Sequence, residues 1–186
     1  ISQNYNFMFF TGSERVAKNI LRKAADKLIP VSFHLGGKCP CIIEESADLE
    51  LAAAAILRAK IVNAGQSCVA PDYVLVPGKL KEEFINRCKE YISEYIKDPF
   101  NDEAYPRIVN LHHFMRLSKY LMGEKELIGG RTSDEQLKIE LTLFPNASFN
   151  SEIMKEEIFG PLLPVITYYD FDEVLYELKK KSKPLA

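Results

Sequence analysis

Short apolar runs alternate with helical stripes at the beginning of the chain. Residues 7–10 predict a strand, and Thr11-Gly12-Ser13 follows as a turn in which Ser13 is the expected helix N-cap. Five apolar positions then recur at helical spacing: Val16, Ile20, Leu21, Ala24 and Leu28. They predict a helix that ends before Pro30, and residues 31–35 predict a second strand. A crossover of this length is typical of parallel strands.

The alternation continues through the rest of the chain. Predicted strands lie at 41–43, 73–76, 126–128, 139–144 and 163–168. Predicted helices lie at 48–64, with Asp48 as cap and Gly65 as stop, and at 80–95, 111–121 and 170–181. The pattern favours an α/β fold, and we expect a three-layer α-β-α arrangement around a mostly parallel sheet.

Composition and charge exclude several classes of protein. Of the 186 residues, 47% are hydrophobic and 27% are charged, which favours a globular domain over a disordered chain. The longest apolar run, residues 51–57, is far shorter than the roughly 20 residues of a membrane-spanning helix. The net charge of −2 provides no excess of positive charge for a phosphate backbone, so we expect no nucleic-acid partner.

The four cysteines have neither zinc-site spacing nor a redox Cys-x-x-Cys pair, so we expect no metal and a reduced, cytoplasmic protein. Cys39, Cys41 and Cys88 are assigned to packing. Cys68 lies on a predicted loop before Pro71, where a thiol can act as a nucleophile. Packing remains an alternative for it, because free cysteine is often buried.

Three other features have simple interpretations when each is taken alone. A Gly12-Ser13 turn that opens a helix suits a pyrophosphate, although an ordinary capped helix is the simpler explanation. The adjacent carboxylates of residues 156–157 are typical of a solvated pair, and Phe159 can be a core residue. His112-His113 begins a predicted helix, and a metal site there would need ligands that we do not identify.

Four motifs, in this order, resemble the aldehyde dehydrogenase superfamily. They are Phe10-Thr11-Gly12-Ser13, His34-Leu35-Gly36-Gly37-Lys38, Asn63-Ala64-Gly65-Gln66-Ser67-Cys68 and Glu156-Glu157-Ile158-Phe159-Gly160-Pro161. Ala70-Pro71-Asp72-Tyr73, Arg107-Ile108-Val109-Asn110 and His113-Phe114 resemble the class 3, fatty-aldehyde-type branch most closely. The resemblance covers nearly the whole chain.

The resemblance implies an activity and a role for individual residues. It implies that an aldehyde is oxidised to a carboxylic acid with NAD or NADP, through a thiohemiacetal and a thioester on Cys68. It implies that Glu157 holds the ribose and that Phe159 lies behind the nicotinamide. The implied cofactor-binding residues are Gly12, Ser13, Gly36, Glu157 and Phe159.

Two sequence departures from the family concern its catalytic base and one of its strands. The base glutamate of the family's Glu-Leu-Gly-Gly-Lys motif is replaced by His34, which is 34 positions before Cys68, as in the family. An imidazole can accept a proton at neutral pH, so His34 is our candidate base. The family's Leu/Ile-Ala-Pro-Thr segment appears as residues 139–142 without its proline, so the entry to that strand is expected to differ.

The chain also differs from the family in extent, because family members are considerably longer. The first residue is Ile1 rather than Met, and we expect a piece of a longer protein that is inactive alone. Residues 1–37 would be the end of the dinucleotide-binding domain, and 38–186 the catalytic domain without its C-terminal dimerisation strand. The full-length protein would form a homodimer.

Three alternative functions remain open. Family members that pass the acyl group to coenzyme A can do without the glutamate, so His34 is also compatible with acyl transfer. Loss of the glutamate also fits a non-catalytic remnant that acts as an association module, although the candidate nucleophile and cofactor residues are retained. A papain-like protease that uses Cys68 with His112 or His113 is the weakest alternative, because no matching sequence context accompanies it.

Overall fold

The computed structural model describes residues 3–96 and 98–186; Ile1 and Ser2, which begin the first predicted domain, and Lys97 lie outside the described residues. The strands are β1 (Met8–Gly12), β2 (Val31–Leu35), β3 (Pro40–Ile42), β4 (Tyr73–Pro77), β5 (Thr132–Ser133), β6 (Lys138–Ile139), β7 (Thr142–Ala147) and β8 (Leu162–Tyr168). The helices are α1 (Glu14–Ala25), α2 (Leu49–Ile61), α3 (Lys81–Tyr95), α4 (Leu111–Leu121) and α5 (Phe171–Lys179). Among the described residues, no helix has both the length and the hydropathy that crossing a bilayer requires.

Four strands form the central sheet, in the order β3-β4-β8-β7, and all neighbouring pairs are parallel. Every residue of β4 is buried. A strand that is apolar on both faces is typical of a parallel sheet covered by helices on both sides. The mostly parallel sheet expected from the sequence is therefore confirmed.

Helices cover both faces of this sheet. Val74 and Val76 of β4 pack in one apolar core with residues of α2 and α3. Tyr73 and Leu75 point to the opposite face, where they pack in a second core with residues of α4 and α5. Because successive side chains of a strand point to opposite faces, one strand contributes to both cores. The three-layer α-β-α arrangement is confirmed.

The first two strands form a separate parallel pair, with α1 as the crossover between them. Within the described residues, α1 buries only Ala17 and Ala24. Val16, Leu21 and Leu28, which the helical stripe assigned to one apolar face, are 38%, 49% and 90% exposed. A pair of strands offers a helix too little surface to bury a full apolar stripe, so this part of the stripe is unburied.

Three predicted elements differ from those of the structure. The helix expected to reach residue 64 ends at Ile61, because Asn63 and Ala64 have φ of +50° and +51°, in the left-handed region. The strand expected at 126–128 is reduced to one bridge between Ile128 and Leu143. The strand expected at 139–144 is divided between β6 and β7, in the segment without the family's proline.

Candidate functional site

The turn after β1 and the end of β2 lie at the same edge of the first strand pair. Thr11 pairs with His34, and Gly12 pairs with Leu35. Ser13 occupies the N-cap position of α1, as predicted, but its side chain accepts no hydrogen bond from the helix. The Gly12-Ser13 turn is thus next to the segment that carries the candidate base, and the Ser13 hydroxyl is not used by the cap.

A left-handed turn carries the chain from α2 to Cys68. Asn63, Ala64 and Gly65 all have positive φ. A Cβ on Gly65 would lie 2.3 Å from the carbonyl oxygen of Gly160, so this close approach requires glycine. The turn therefore brings the Cys68 loop against the segment that contains Glu157.

Gln66 holds the same loop from inside the protein. Its side chain is buried, and Nε2 donates to the carbonyl oxygens of Asn63 and Arg107 at 2.9 and 3.1 Å. Its Oε1 accepts a 2.9 Å hydrogen bond from the N–H of Val109. Three backbone polar groups of the loop and its neighbour are thereby paired, which restricts the backbone just before Cys68.

Cys68 is half-buried, and its sulfur contacts the candidate base. His34 Nε2 lies 3.4 Å from Cys68 Sγ. Cys39 Sγ donates to the carbonyl oxygen of Cys68 at 3.4 Å, whereas the Cys68 N–H donates no hydrogen bond within the described residues. The arrangement permits proton transfer between sulfur and imidazole, and a free N–H beside the sulfur can stabilise an oxyanion.

The Glu157 carboxylate packs against the Gly36-Gly37 backbone. A Cβ on Gly36 would lie only 2.1 Å from Glu157 Oε1, so a larger residue at position 36 would displace the carboxylate. Burial raises the pKa of Glu157, while a hydrogen bond from the Gly37 backbone opposes the shift. Two of the predicted cofactor residues are therefore in direct proximity.

Phe159 follows in a strained backbone conformation. Its φ is +48°, in the left-handed region, and its side chain is among the exposed apolar ones. The preceding Ile158 is fully buried and anchors this position in the second core. The structure therefore assigns the core role to Ile158, and leaves the Phe159 ring accessible.

Arg116 of α4 binds the segment 156–161 along its backbone. Its guanidinium donates to the carbonyl oxygens of Ile158 and Glu157 at 2.5 and 3.3 Å, and to Glu156 Oε1 at 3.2 Å. The Tyr120 hydroxyl donates to the same carboxylate oxygen at 2.7 Å. Burial raises the pKa of Glu156, but the hydrogen bonds from Tyr120 and Arg116 and the charge of Arg116 lower it by more. The pKa of Glu156 is therefore below its ordinary value. Glu156 is thus a partner of α4 rather than only a solvated charge.

Three charged residues of the site had no role assigned from sequence: Lys38, Asp72 and Arg116. Lys38 and Asp72 form an ion pair, with side chains 13% and 4% exposed. Lys38 directly follows the two glycines of its motif, but nothing in the spacing indicates that it pairs with Asp72. Arg116 lies on the polar side of a predicted helix, where an exposed charge is the usual interpretation.

The other two histidines lie at the start of α4. The rings of His112 and His113 contact each other edge to face, with centroids 5.4 Å apart. Within the described part of the chain, Nδ1 of His113 is buried without a hydrogen-bond partner. Cys68 is instead contacted by His34, so the geometry does not support the protease alternative. In the ranges 3–96 and 98–186, no three His, Cys, Asp or Glu side chains are grouped so that they could hold a metal ion.

Comparison with known proteins identifies relatives over nearly the whole chain. The model of the aldehyde dehydrogenase family matches residues 2–181. The 4,4'-diaponeurosporen-aldehyde dehydrogenase of Staphylococcus aureus is 39% identical over 185 residues, which are 98% of this chain and 40% of that protein. Coniferyl aldehyde dehydrogenase of Pseudomonas sp. is 39% identical over 196 residues, covering 100% of this chain and 40% of the relative. Aldehyde dehydrogenase family 3 member A2 of Mus musculus is 35% identical, with coverage of 100% and 39%.

Solved structures agree with these relatives. Staphylococcus aureus AldH in a substrate-bound state matches with a TM-score of 0.92 and 38% identity, over 97% of this chain and 40% of that one. Betaine aldehyde dehydrogenase from Staphylococcus aureus in complex with NAD+ matches with a TM-score of 0.80 and 27% identity, over 92% and 36%. The chain thus spans about 40% of the length of the first relatives.

Proposed function

The chain belongs to the aldehyde dehydrogenase family, and on this premise we propose that it carries the catalytic segment of an enzyme that oxidises an aldehyde to a carboxylic acid with NAD or NADP. The observation that carries the proposal is the 3.4 Å contact between His34 Nε2 and Cys68 Sγ, beside a backbone N–H that has no hydrogen-bond partner among the described residues. A nucleophile, a proton acceptor and an oxyanion donor are the groups that acyl chemistry on a thiol requires.

In this proposal, the activity is that of a longer protein that contains the chain. The chain itself spans about 40% of the length of its relatives. Residues 1–37 then end the dinucleotide-binding domain, and residues 38–186 form most of the catalytic domain. The separate β1–β2 pair supports this division, because it shares no sheet with the later strands. We further propose a homodimer in the cytoplasm; the free state of all four cysteines supports a reducing compartment.

The residues present fit a dinucleotide. Gly36 leaves room for the Glu157 carboxylate, which can accept hydrogen bonds from ribose hydroxyls. The Gly12-Ser13 turn lies before helix α1, whose N-terminal N–H groups favour a pyrophosphate. The accessible ring of Phe159 offers a flat apolar surface for the nicotinamide. When bound, the cofactor supplies a hydride acceptor for the carbon attached to Cys68.

In the first half of the reaction, Cys68 Sγ bonds to the aldehyde carbonyl carbon and the carbonyl oxygen gains the negative charge. The Cys68 N–H, free within the described residues, donates to this oxygen. The thiol proton leaves for His34 Nε2, the base within reach. Loss of hydride from the same carbon re-forms the C=O bond and leaves a thioester on Cys68.

His34 first releases the thiol proton to solvent, which is the one proton that the overall oxidation produces. In the second half, water adds to the thioester carbon and His34 Nε2, again unprotonated, accepts a proton from that water. The C–S bond then breaks, the carboxylic acid leaves, and Sγ recovers its proton. His34 thus replaces the family's glutamate as base. Two contacts hold the loop while the reaction proceeds. Cys39 donates to the carbonyl oxygen of Cys68, and Gln66, within the loop, bonds to the backbone of Arg107 and Val109.

Acyl transfer to coenzyme A is the second candidate function. The observation that favours it is the imidazole of His34 in place of a carboxylate beside Cys68. In that reaction the thiol of coenzyme A replaces water as the attacking group, and a thioester is the product. The two candidates share Cys68 and Glu157 and differ only in the step that removes the acyl group.

The test is rapid-mixing absorbance of reduced nicotinamide on the full-length protein that contains this chain, with a medium-chain aldehyde and with coniferyl aldehyde. A burst followed by steady turnover would support oxidation to the acid. A burst of about one equivalent that resumes only with coenzyme A would support acyl transfer. If no reduced cofactor forms with any aldehyde, either in a burst or at a steady rate, both candidates are rejected and the non-catalytic association module remains.

A further inference from the structure

One buried ion pair lies between the three segments of the candidate site. Lys38 is four residues after the candidate base, and Asp72 is four residues after the candidate nucleophile. Their side chains are 13% and 4% exposed. Asp72 Oδ1 also accepts a 2.8 Å hydrogen bond from the N–H of Ile158, the residue after Glu157. The carboxylate therefore belongs to the segment of the candidate nucleophile and contacts one group from each of the other two segments.

Lys38 extends the same connection along the Glu157 segment. Its Nζ donates to the carbonyl oxygens of Glu156 and Ile153 at 2.9 and 3.2 Å. Together with the bond to Asp72, these contacts use all three hydrogens of the ammonium group. The backbone on the N-terminal side of Glu157 is thus held by Lys38, and the backbone after it is held by Asp72.

Asp72 is the only carboxylate that bonds Lys38 among the described residues. Burial lowers the pKa of Lys38, and the charge and hydrogen bond of Asp72 oppose that shift. Lys60, a second buried ammonium, donates to the carbonyl oxygen of Pro71 at 2.9 Å and is also stabilised by the charge of Asp72. Removing the carboxylate would leave Lys38 without its ion-pair partner and would take from both buried cations their largest stabilising charge, with Glu157 the smaller one.

We propose that Asp72 is a positioning residue which, through Lys38 and the N–H of Ile158, fixes the Glu157 carboxylate relative to Cys68. This inference rests on the proposed function, in which Glu157 holds the cofactor ribose. An ion pair that only stabilised the core would change the free energy of unfolding but would leave the Glu157 segment as ordered as before in the folded protein.

The test compares D72N with E45Q in the full-length protein. Asparagine keeps the volume of Asp72 and an Oδ1 acceptor, but it removes the charge. Glu45 is a matched control, because its ion pair with Lys79 also joins residues 34 positions apart and both side chains are 60% exposed. Amide hydrogen exchange of the cofactor-free protein is measured on peptides from residues 153–160 and 73–77, and NAD affinity is measured by titration.

For D72N we expect amide exchange in residues 153–160 to be at least about tenfold faster, whereas exchange in residues 73–77 should change less than about twofold. The Kd for NAD should rise at least about tenfold. E45Q should resemble the wild type in all three. If folded D72N has a lower Tm but leaves exchange in 153–160 and the Kd within about twofold, Asp72 only stabilises the core and the proposal is overturned.

D72E and K38R retain the charges and keep the proposal testable if D72N does not fold. Both variants should fold, because the ion pair is kept. Both should weaken NAD binding by about threefold or more, because the length or shape of one side chain of the pair is changed; unchanged binding in both would overturn the proposal.

The exchange measurement also separates this inference from the proposed function. Faster exchange in D72N of a protein that binds neither NAD nor NADP would support positioning and reject the dehydrogenase activity.

Discussion

His34 Nε2 lies 3.4 Å from Cys68 Sγ, close enough for a proton to pass between imidazole and thiol. The two residues belong to different parts of the fold, since His34 is in β2 and Cys68 is on the loop before β4. Strand pairing holds the first, and the hydrogen bonds of Gln66 hold the loop of the second. Four predictions follow from this site and its surroundings, and the first concerns His34 itself.

Replacing His34 by glutamine should slow both halves of the reaction, because the proposed mechanism uses its imidazole in each. Glutamine keeps a polar side chain but cannot accept a proton at neutral pH. We expect H34Q to form its first equivalent of reduced cofactor more slowly than the wild type and then to turn over roughly 100-fold more slowly, the lower end of what a general base contributes. Rapid-mixing absorbance records both phases.

His112→Gln is the control, because His112 is exposed at the start of α4 and lies outside the proposed mechanism. It should keep both phases. H34E restores the family's glutamate and should turn over at least as fast as the wild type. If H34Q keeps the steady-state rate of the wild type, His34 is not the base.

The four thiols should differ in reactivity. Burial raises the pKa of Cys88 to about 12, so almost no thiolate forms there at neutral pH. Cys68 lies half-buried on a loop next to a possible proton acceptor. We expect iodoacetamide to label Cys68 at least about tenfold faster than Cys88, measured by peptide mass spectrometry. The difference should vanish in denaturant; equal rates in the folded protein would favour the association module.

Substituting Gly36 should weaken cofactor binding without unfolding the protein. In G36A, the new Cβ would meet the Glu157 carboxylate and force it to move. We expect the Kd for NAD to rise about tenfold, a loss typical of one misplaced charged hydrogen-bonding group. G78A is the matched control: its Cβ would lie 2.3 Å from the ring of Tyr169, but that side chain is 90% exposed and can turn away. Equal NAD affinity of both variants would contradict the assignment of Glu157.

The stability of the protein should depend on pH through Lys60. Burial lowers the pKa of this side chain to about 8 in the folded state. Below pH 8, lysine is charged in both states and the folded protein carries the full desolvation cost. Between pH 8 and 10 the folded state loses the proton first, so the unfolded state binds more protons and stability rises with pH.

The K60M variant has no titratable side chain at position 60, so a comparison of the wild type with K60M isolates the contribution of Lys60. We expect the free energy of unfolding of the wild type, relative to K60M, to increase by roughly 2 kcal/mol from pH 7 to pH 10. Urea denaturation of both proteins at each pH gives the difference, in which the other titrating groups cancel. A difference that does not change with pH would mean that Lys60 titrates normally.

Regular elements were predictable because their side-chain pattern is complete within the element. Residues 31–35 and 111–121 have the same bounds in the structure as in the prediction. The end of α2 was not predictable from local propensity, since alanine favours helix at position 64. There the contact between Gly65 and Gly160 determines the turn, and the two residues are far apart in the sequence.

The candidate site was predictable where residue type indicates chemistry. The resemblance to the family implied that His34 and Cys68 lie together, and the structure places His34 Nε2 3.4 Å from Cys68 Sγ. The roles of Lys38, Asp72 and Arg116 were not anticipated, because a buried ion pair and an exposed charge have the same appearance in a sequence. Only the packing of three distant segments distinguishes them.

The contacts that assemble this site join residues that are remote along the chain. Lys38 and Glu156 are 118 positions apart, and Asp72 and Ile158 are 86 positions apart. Helices form from local contacts, whereas closing such long loops costs chain entropy before any contact compensates it. During refolding, helical structure should therefore return before the site is assembled. In that interval the Cys68 thiol is not yet enclosed by the residues that surround it in the folded protein. A newly made chain is then most open to chance oxidation.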